Sequence, residues 1–180
     1  MHRETQIYDL IDRLTRVHAA LLRNDELNPT QMAALGYLAR ANRYSRSPSQ
    51  VADYLSTTRG TVSQTLKVLI KKGYASANAA EGDKRTLVFS LTEKGEQVLE
   101  GHTEFLDVLQ SMGSVEKAGL QAGMKGLLSR LLERRQGRSF GLCRTCKHHG
   151  MKDGAMWCGL LKVPLMADEE TQICHEHIAA

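Results

Sequence analysis

The sequence predicts a mainly α-helical chain with one β-hairpin and a small cysteine-bearing lobe at its C-terminus. Three observations carry that expectation. Apolar residues recur at spacings of three and four through most of the first 136 positions, the period of a one-sided helix. A strand–turn–strand pattern interrupts them between about residues 74 and 91. All four cysteines, Cys143, Cys146, Cys158 and Cys174, fall after position 142 of 180.

Composition narrows the classes. With 42% hydrophobic and 24% charged residues the chain reads as globular. Three Phe, five Tyr and one Trp leave the core to aliphatic side chains. Cysteines confined to one end do not staple a secreted scaffold. The chain has no 18-residue apolar run and no apolar stretch behind Met1, so a cytoplasmic protein without a membrane partner is expected. The sequence offers no Ser/His/Asp set, P-loop or Gly-rich nucleotide fingerprint, and an enzyme is not expected.

The elements follow in order. Ile7, Leu10, Ile11, Leu14, Val17, Leu21 and Leu22 share one helix face, which suits packing against a second chain. Asn28-Pro29-Thr30-Gln31 starts a second helix, with Asn28 as cap, Pro29 in the first turn and Gln31 where a capping box wants it. Met32, Leu35 and Leu38 give it an apolar edge, and it is expected to run to about Tyr44. Ser47-Pro48-Ser49-Gln50 repeats the start signal for a short helix burying Val51, Ala52 and Leu55. After the break at residues 56–58, another helix carries Val62, Leu66, Leu69 and Ile70 on one face. Lys71-Lys72-Gly73 ends it, with cations at the negative end and Gly for the left-handed position. Two short helices joined by a tight turn form a helix-turn-helix pattern. Residues 74–77 and 86–91 then form a hairpin around the charged tip Glu81-Gly82-Asp83-Lys84-Arg85. Thr92 caps one helix bearing Val98, Leu99, Phe105, Leu106 and Leu109. Ser114 caps a last one bearing Leu120, Met124, Leu127, Leu128, Leu131 and Leu132. Gly119, Gly123 and Gly126 make a small-residue edge for close packing.

This order resembles the MarR family of winged helix-turn-helix regulators over about residues 4–135. The resemblance rests on "TTRGTVSQTLKVLIKKGY", on the Asp-x-Arg at 83–85 and on the Leu-Thr-x-x-Gly at 91–95. It implies a homodimer joined through its first and last two helices. It also implies Arg85 entering a minor groove of double-stranded DNA, oriented by Asp83, on a pseudo-palindromic operator. The expected division is 1–27 with 92–136 for dimerisation, 28–91 for the winged helix-turn-helix, and 137–180 for a metal-binding tail.

Charge placement points the same way. Between Arg59 and Arg85 lie six basic residues against Glu81 and Asp83, so this segment carries the +4 net charge of the whole chain. Concentrated positive charge is what phosphate neutralisation requires. Arg59 and Gln64 can make bidentate contacts to base edges, whereas Thr61 and Ser63 suit phosphates. Thr58, Lys67 and Lys84 complete the expected DNA-binding set.

The tail spacing is Cys143-x2-Cys146-x11-Cys158-x15-Cys174, with His148, His149, His175 and His177 nearby. Four cysteines in so short a stretch read as one metal site. Only the first pair is a knuckle, so a zinc ribbon is a poorer match than an iron–sulfur cluster, whose corners separate loops can reach. A zinc site would use Cys143, Cys146 and Cys158 with either Cys174 or His177. The segment also loosely resembles the cluster segment of high-potential iron–sulfur proteins, with Trp157 before Cys158. A 4Fe–4S cluster is favoured over 2Fe–2S. Trp157, Leu160, Leu161, Val163, Leu165 and Ile173 are expected to shield it, and Arg144 and Lys147 to lower the thiol pKa values. The functional expectation is a repressor whose operator binding answers to a cluster sensing redox, oxygen or iron status, transmitted through the last dimerisation helix. The alternative is a repressor with a structural zinc, answering to a phenolic ligand or thiol oxidation.

Overall fold

The computed structural model describes residues 2–22, 25–80, 83–101 and 103–180, and of residues 80 and 83–85 it describes the backbone alone. Helix α1 spans Arg3–Leu21, and none of its residues is buried. Helix α2 spans Pro29–Arg40 and opens with the full Asn28/Gln31 capping box. It ends four residues before Tyr44, because Ala41 turns extended and bridges to Ile173 in the tail. A 3-10 turn follows over Arg43–Ser45, capped by Asn42. Helix α3 (Pro48–Tyr54) starts on the Ser47/Gln50 box, and α4 (Arg59–Lys71) on Thr58, whose hydroxyl accepts the Thr61 N–H at 3.1 Å. Gly73, with φ at 78°, ends α4 in the left-handed region that a Cβ would strain.

The hairpin pairs β1 (Ala75–Ala80) with β2 (Asp83–Leu91) antiparallel, and both strands run longer than their apolar patterns. Thr92 caps α5 (Glu93–Glu100), accepting the Gly95 N–H at 3.2 Å. Gly95 is required there, since a Cβ would stand 2.1 Å from the Tyr74 carbonyl oxygen. The single helix expected after Thr92 is two: α5 stops at Gly101, and α6 spans Glu104–Ser111. Helix α7 (Ser114–Arg134) is capped one residue earlier than expected, because the Glu116 carboxylate accepts the Gly113 N–H at 2.9 Å.

One aliphatic core closes the winged helix-turn-helix. Met32, Leu35 and Leu38 of α2, Val51 and Ala52 of α3, and Val62, Leu66 and Leu69 of α4 meet Tyr74 and Phe89 from the hairpin side. Each fully buried aliphatic side chain contributes about 1.5–3 kcal/mol. Helices α1 and α7 instead leave Ile7, Leu10, Leu14, Val17, Leu120, Met124 and Leu128 exposed. Among the described residues no helix is long and apolar enough to cross a membrane.

The tail folds into short strands: β3 (Gly141–Leu142), β4 (His149–Lys152), β5 (Ala155–Cys158), β6 (Val163–Pro164) and β7 (Ile173–Cys174). Strands β3 and β7 pair, and β4-β5-β6 form a separate antiparallel sheet.

Candidate nucleic-acid interface and cysteine centre

Helix α4 divides sharply. Val62, Thr65, Leu66 and Leu69 are buried. Arg59, Gly60, Thr61, Gln64 and Lys67 are exposed along the other side, with Thr58 exposed at the cap and Ser63 half-buried at the edge. Thr65 turns its hydroxyl onto the Thr61 carbonyl at 2.9 Å, so a buried polar group is satisfied within the helix. A rigid, capped helix therefore presents a hydroxyl, guanidinium, amide and ammonium row, which is the donor and acceptor set that reads base edges and phosphates. Asp83, Lys84 and Arg85 belong by backbone to β2; the roles expected of their side chains lie outside the described residues.

The four cysteines are all buried and free, and they come from separate elements. Cys143 opens a 3-10 turn over Cys143–Thr145 and Cys146 closes it, its N–H donating to the Cys143 carbonyl at 3.0 Å. Cys158 ends β5, and its Sγ accepts the Leu161 N–H at 3.5 Å. Cys174 ends β7. Burial pushes the Cys143 thiol up to about 12, and the neighbouring Cys174, Cys158 and Cys146 add to the effect. Burial also raises Cys174, partly offset by the polar Glu176 backbone and the Asn42 and Ser45 side chains nearby. Arg144 and Lys147 are exposed to solvent, and Cys143 and Cys174 are raised rather than lowered, contrary to the charge argument. Among the described residues no three His, Cys, Asp or Glu groups are gathered tightly enough to hold one metal ion.

The lobe docks on the winged helix-turn-helix. The Asn42 N–H donates to the Ile173 carbonyl, and the His175 N–H to Ser45 Oγ, each at 2.9 Å. The buried His175 ring lies between Asp53 of α3 (3.0 Å) and Glu176 (2.8 Å). Arg43 pairs with the buried Glu169 at 3.3 Å. Phe140 packs edge-on against Tyr54 and Tyr37, at 5.1 and 6.2 Å between ring centres.

Residues 26–86 match the model of the MarR family. That matched stretch, about a third of the chain, is similar to the MarR family. The chain is 28% identical over 116 residues to the transcriptional repressor MprA of Escherichia coli K12, covering 62% of this chain. The chain spans 66%, just under two thirds, of that relative's length. A MarR/EmrR family regulator from Acinetobacter sp. ADP1 superposes with a TM-score of 0.57 at 26% identity, covering 73% of this chain and 96% of its own. FabT of Streptococcus pneumoniae, solved in complex with DNA, gives 0.57 at 24%, covering 72% and 95%.

The four cysteines lie beyond the matched 26–86 stretch. Several expectations for the tail are corrected. Leu160 and Leu161 are exposed at 43% and 37%, so they shield nothing. Ile173 belongs to the winged-helix core rather than to a shell round the cysteines. Cys143 and Cys158 pack instead with Leu165, Tyr44, Met156 and Val163. Trp157 is half-buried with the Lys152 ammonium over its ring. His177 is held by Thr145 (3.0 Å) and Ser139 (3.2 Å), which engages both ring nitrogens away from a zinc-ligand role. The lobe is keyed to residues 41–46 and to α3, besides following the last helix in the chain.

Sequence reasoning missed Asn42, Ser45, Asp53, Glu169 and Tyr44, the residues that receive the tail. It also passed over Asp153-Gly154, an available signal. Both have positive φ (49° and 78°) and form the two-residue turn between β4 and β5, the geometry Asp-Gly favours.

Proposed function

We propose that this chain is a homodimeric, sequence-specific DNA-binding transcription regulator, a repressor, whose affinity is set by an iron–sulfur cluster held by Cys143, Cys146, Cys158 and Cys174. The observation that carries the DNA-binding part is the exposed polar row Arg59, Thr61, Gln64 and Lys67 on a capped helix backed by a closed core. That MprA is a repressor and that FabT was solved with DNA support the reading. Arg59 and Gln64 read base edges; Thr58, Thr61, Ser63 and Lys67 hold phosphates; Lys84 and Arg85 of the wing add charge beside them, with Asp83 orienting Arg85. The unburied apolar faces of α1 and α7 support a dimer, which would place two such helices on two half-sites.

The cofactor part rests on the donor set. Four buried cysteines from separate elements share one small lobe, and the other three add to the upward shift of the Cys143 thiol. A tetrahedral zinc draws every sulfur to about 2.3 Å from one centre. A cluster is a larger body, better suited to ligands arriving from separate loops. When bound, it would supply reversible electron transfer and sensitivity to oxygen or iron supply. The chain's own part is to bury the ligands, to donate the Leu161 N–H to the Cys158 sulfur and to tie the lobe to α3.

Selection of duplexes from a random-sequence pool by the full-length protein tests the first part. Enrichment of an inverted repeat is expected, and no enrichment overturns it. Iron and sulfide analysis with absorption near 400 nm, after anaerobic purification, tests the second. Brown, iron-loaded protein is expected; colourless protein with stoichiometric zinc overturns it.

A further inference from the structure

The last turn of α3 is gripped from the tail. The buried His175 ring sits with Nε2 3.0 Å from an Asp53 carboxylate oxygen, and the His175 backbone N–H donates to Ser45 Oγ at 2.9 Å. The next residue of α3, Tyr54, has its ring centre 4.4 Å from that of Tyr37 and 5.1 Å from that of Phe140, and Phe140 stands 5.2 Å from His175. Helix and tail thus meet in one aromatic cluster, whose edge-on pairs favour a set distance and angle. Phe140 has a φ of 47°, a left-handed conformation that a bulky residue keeps only where its surroundings dictate it. The turn that launches α4 follows directly on Tyr54. The Ser56 N–H donates to the Asp53 carbonyl at 3.2 Å and the Thr57 N–H to the Ala52 carbonyl at 3.0 Å, so the turn hangs on the helix end that the tail grips. Thr58 then caps α4.

We propose that His175 and Phe140 are positioning residues for α4: by gripping Asp53 and Tyr54 they set the angle at which α4 leaves the turn, and with it the sequence preference of DNA binding. The proposal rests on the DNA-binding reading above and calls on no metal. Hydrogen bonds from Arg59 and Gln64 to base edges weaken steeply with misalignment. Attraction to phosphates is less directional and carries no sequence information. A slack turn therefore costs discrimination before it costs general affinity. The tail, which lies beyond the stretch matched to other regulators, is in this chain a determinant of specificity without touching a base.

The test uses the full-length wild type, Asp53→Asn, Asp53→Ala and Phe140→Ala. Asp53 is exposed, so replacing it leaves the core untouched. Both Asp53 variants remove the same charge, but only Asn keeps an oxygen facing the His175 ring. The readouts are affinity for a duplex selected by the wild type, affinity for an unrelated duplex of equal length, dimer mass and thermal melting. Asp53→Ala should bind the selected duplex about tenfold more weakly than Asp53→Asn does, and Phe140→Ala about tenfold more weakly than the wild type. Affinity for the unrelated duplex and dimer mass should stay unchanged. Asp53→Ala with the same ratio of selected to unrelated affinity as Asp53→Asn overturns the proposal, even if Phe140→Ala fails to fold. Equal losses on both duplexes, with a lowered melting temperature, show a merely structural role and overturn it as well. A wild type that binds the two duplexes equally overturns the DNA-binding reading together with the proposal.

Discussion

The winged helix-turn-helix and the cysteine lobe are built on opposite plans. The first closes over a continuous aliphatic core and turns its chemistry outward, along the exposed face of α4. The second turns its chemistry inward: two of the three buried residues at its centre, Cys143 and Cys158, are cysteines. A segment of about forty residues with so little apolar content needs a metal or a neighbour to hold it. Here its neighbour is the winged helix-turn-helix, through Phe140, His175 and Glu169. The contrast teaches that the first lobe draws its core mainly from its own helices and hairpin, whereas the second leans on the first.

That comparison can be broken at several points. The largest effect is expected from Cys174→Ala. It should abolish stoichiometric metal loading and expose residues 137–180 to limited proteolysis, while the helical melting transition persists. Loss of the whole transition would show that the two plans are not separable. Next, Leu69→Ala, at a fully buried position of α4, should cost about 2–5 kcal/mol in denaturant unfolding, by lost transfer energy and a cavity. Arg59→Ala or Gln64→Ala should leave stability unchanged and relax base preference at one position, losing about 1–3 kcal/mol of discrimination in a mobility-shift titration. Arg85→Ala should weaken binding to all duplexes alike and reduce the salt slope by about one, and an unchanged affinity would remove the wing from the interface.

The smallest effect concerns protons. In metal-free protein, burial and the other cysteines hold Cys143 protonated up to about 12, against an ordinary value of 9.0. Because the folded value is the higher one, the group's contribution to stability is full below about 9 and is lost as pH rises toward 12. Alkylation of Cys143 at pH 8 should accordingly lag behind that of the unfolded chain. Equal rates would show the thiol to be neither buried nor coupled.

The first lobe was largely legible in the sequence because its signals are local. Asn28 with Gln31, Ser47 with Gln50, and Thr58 with Thr61 are cap contacts three residues apart, and the apolar stripes of α2 and α4 repeat over whole turns. The split between α5 and α6 was hidden because the apolar pattern runs on across Gly101. The second lobe was legible only as a ligand set. Its strands of two to four residues are too short for periodicity, and its placement depends on pairs such as Ser45 with His175, 130 residues apart. Histidines read as possible ligands turned out to be fasteners: His175 joins the tail to Asp53, and His177 joins Thr145 to Ser139. The buried polar pair Asn42 and Ser45 looked from the sequence like the frayed end of a helix, and no local pattern marks it as a docking site.

The central claim is that the cysteine lobe governs the lobe it sits on. The most direct measurement is the affinity of wild-type protein for its selected duplex, metal-loaded against chelator-depleted, with dimer mass confirmed in both states. The loaded form should bind about tenfold more tightly. Equal affinities in two intact dimers would contradict the account.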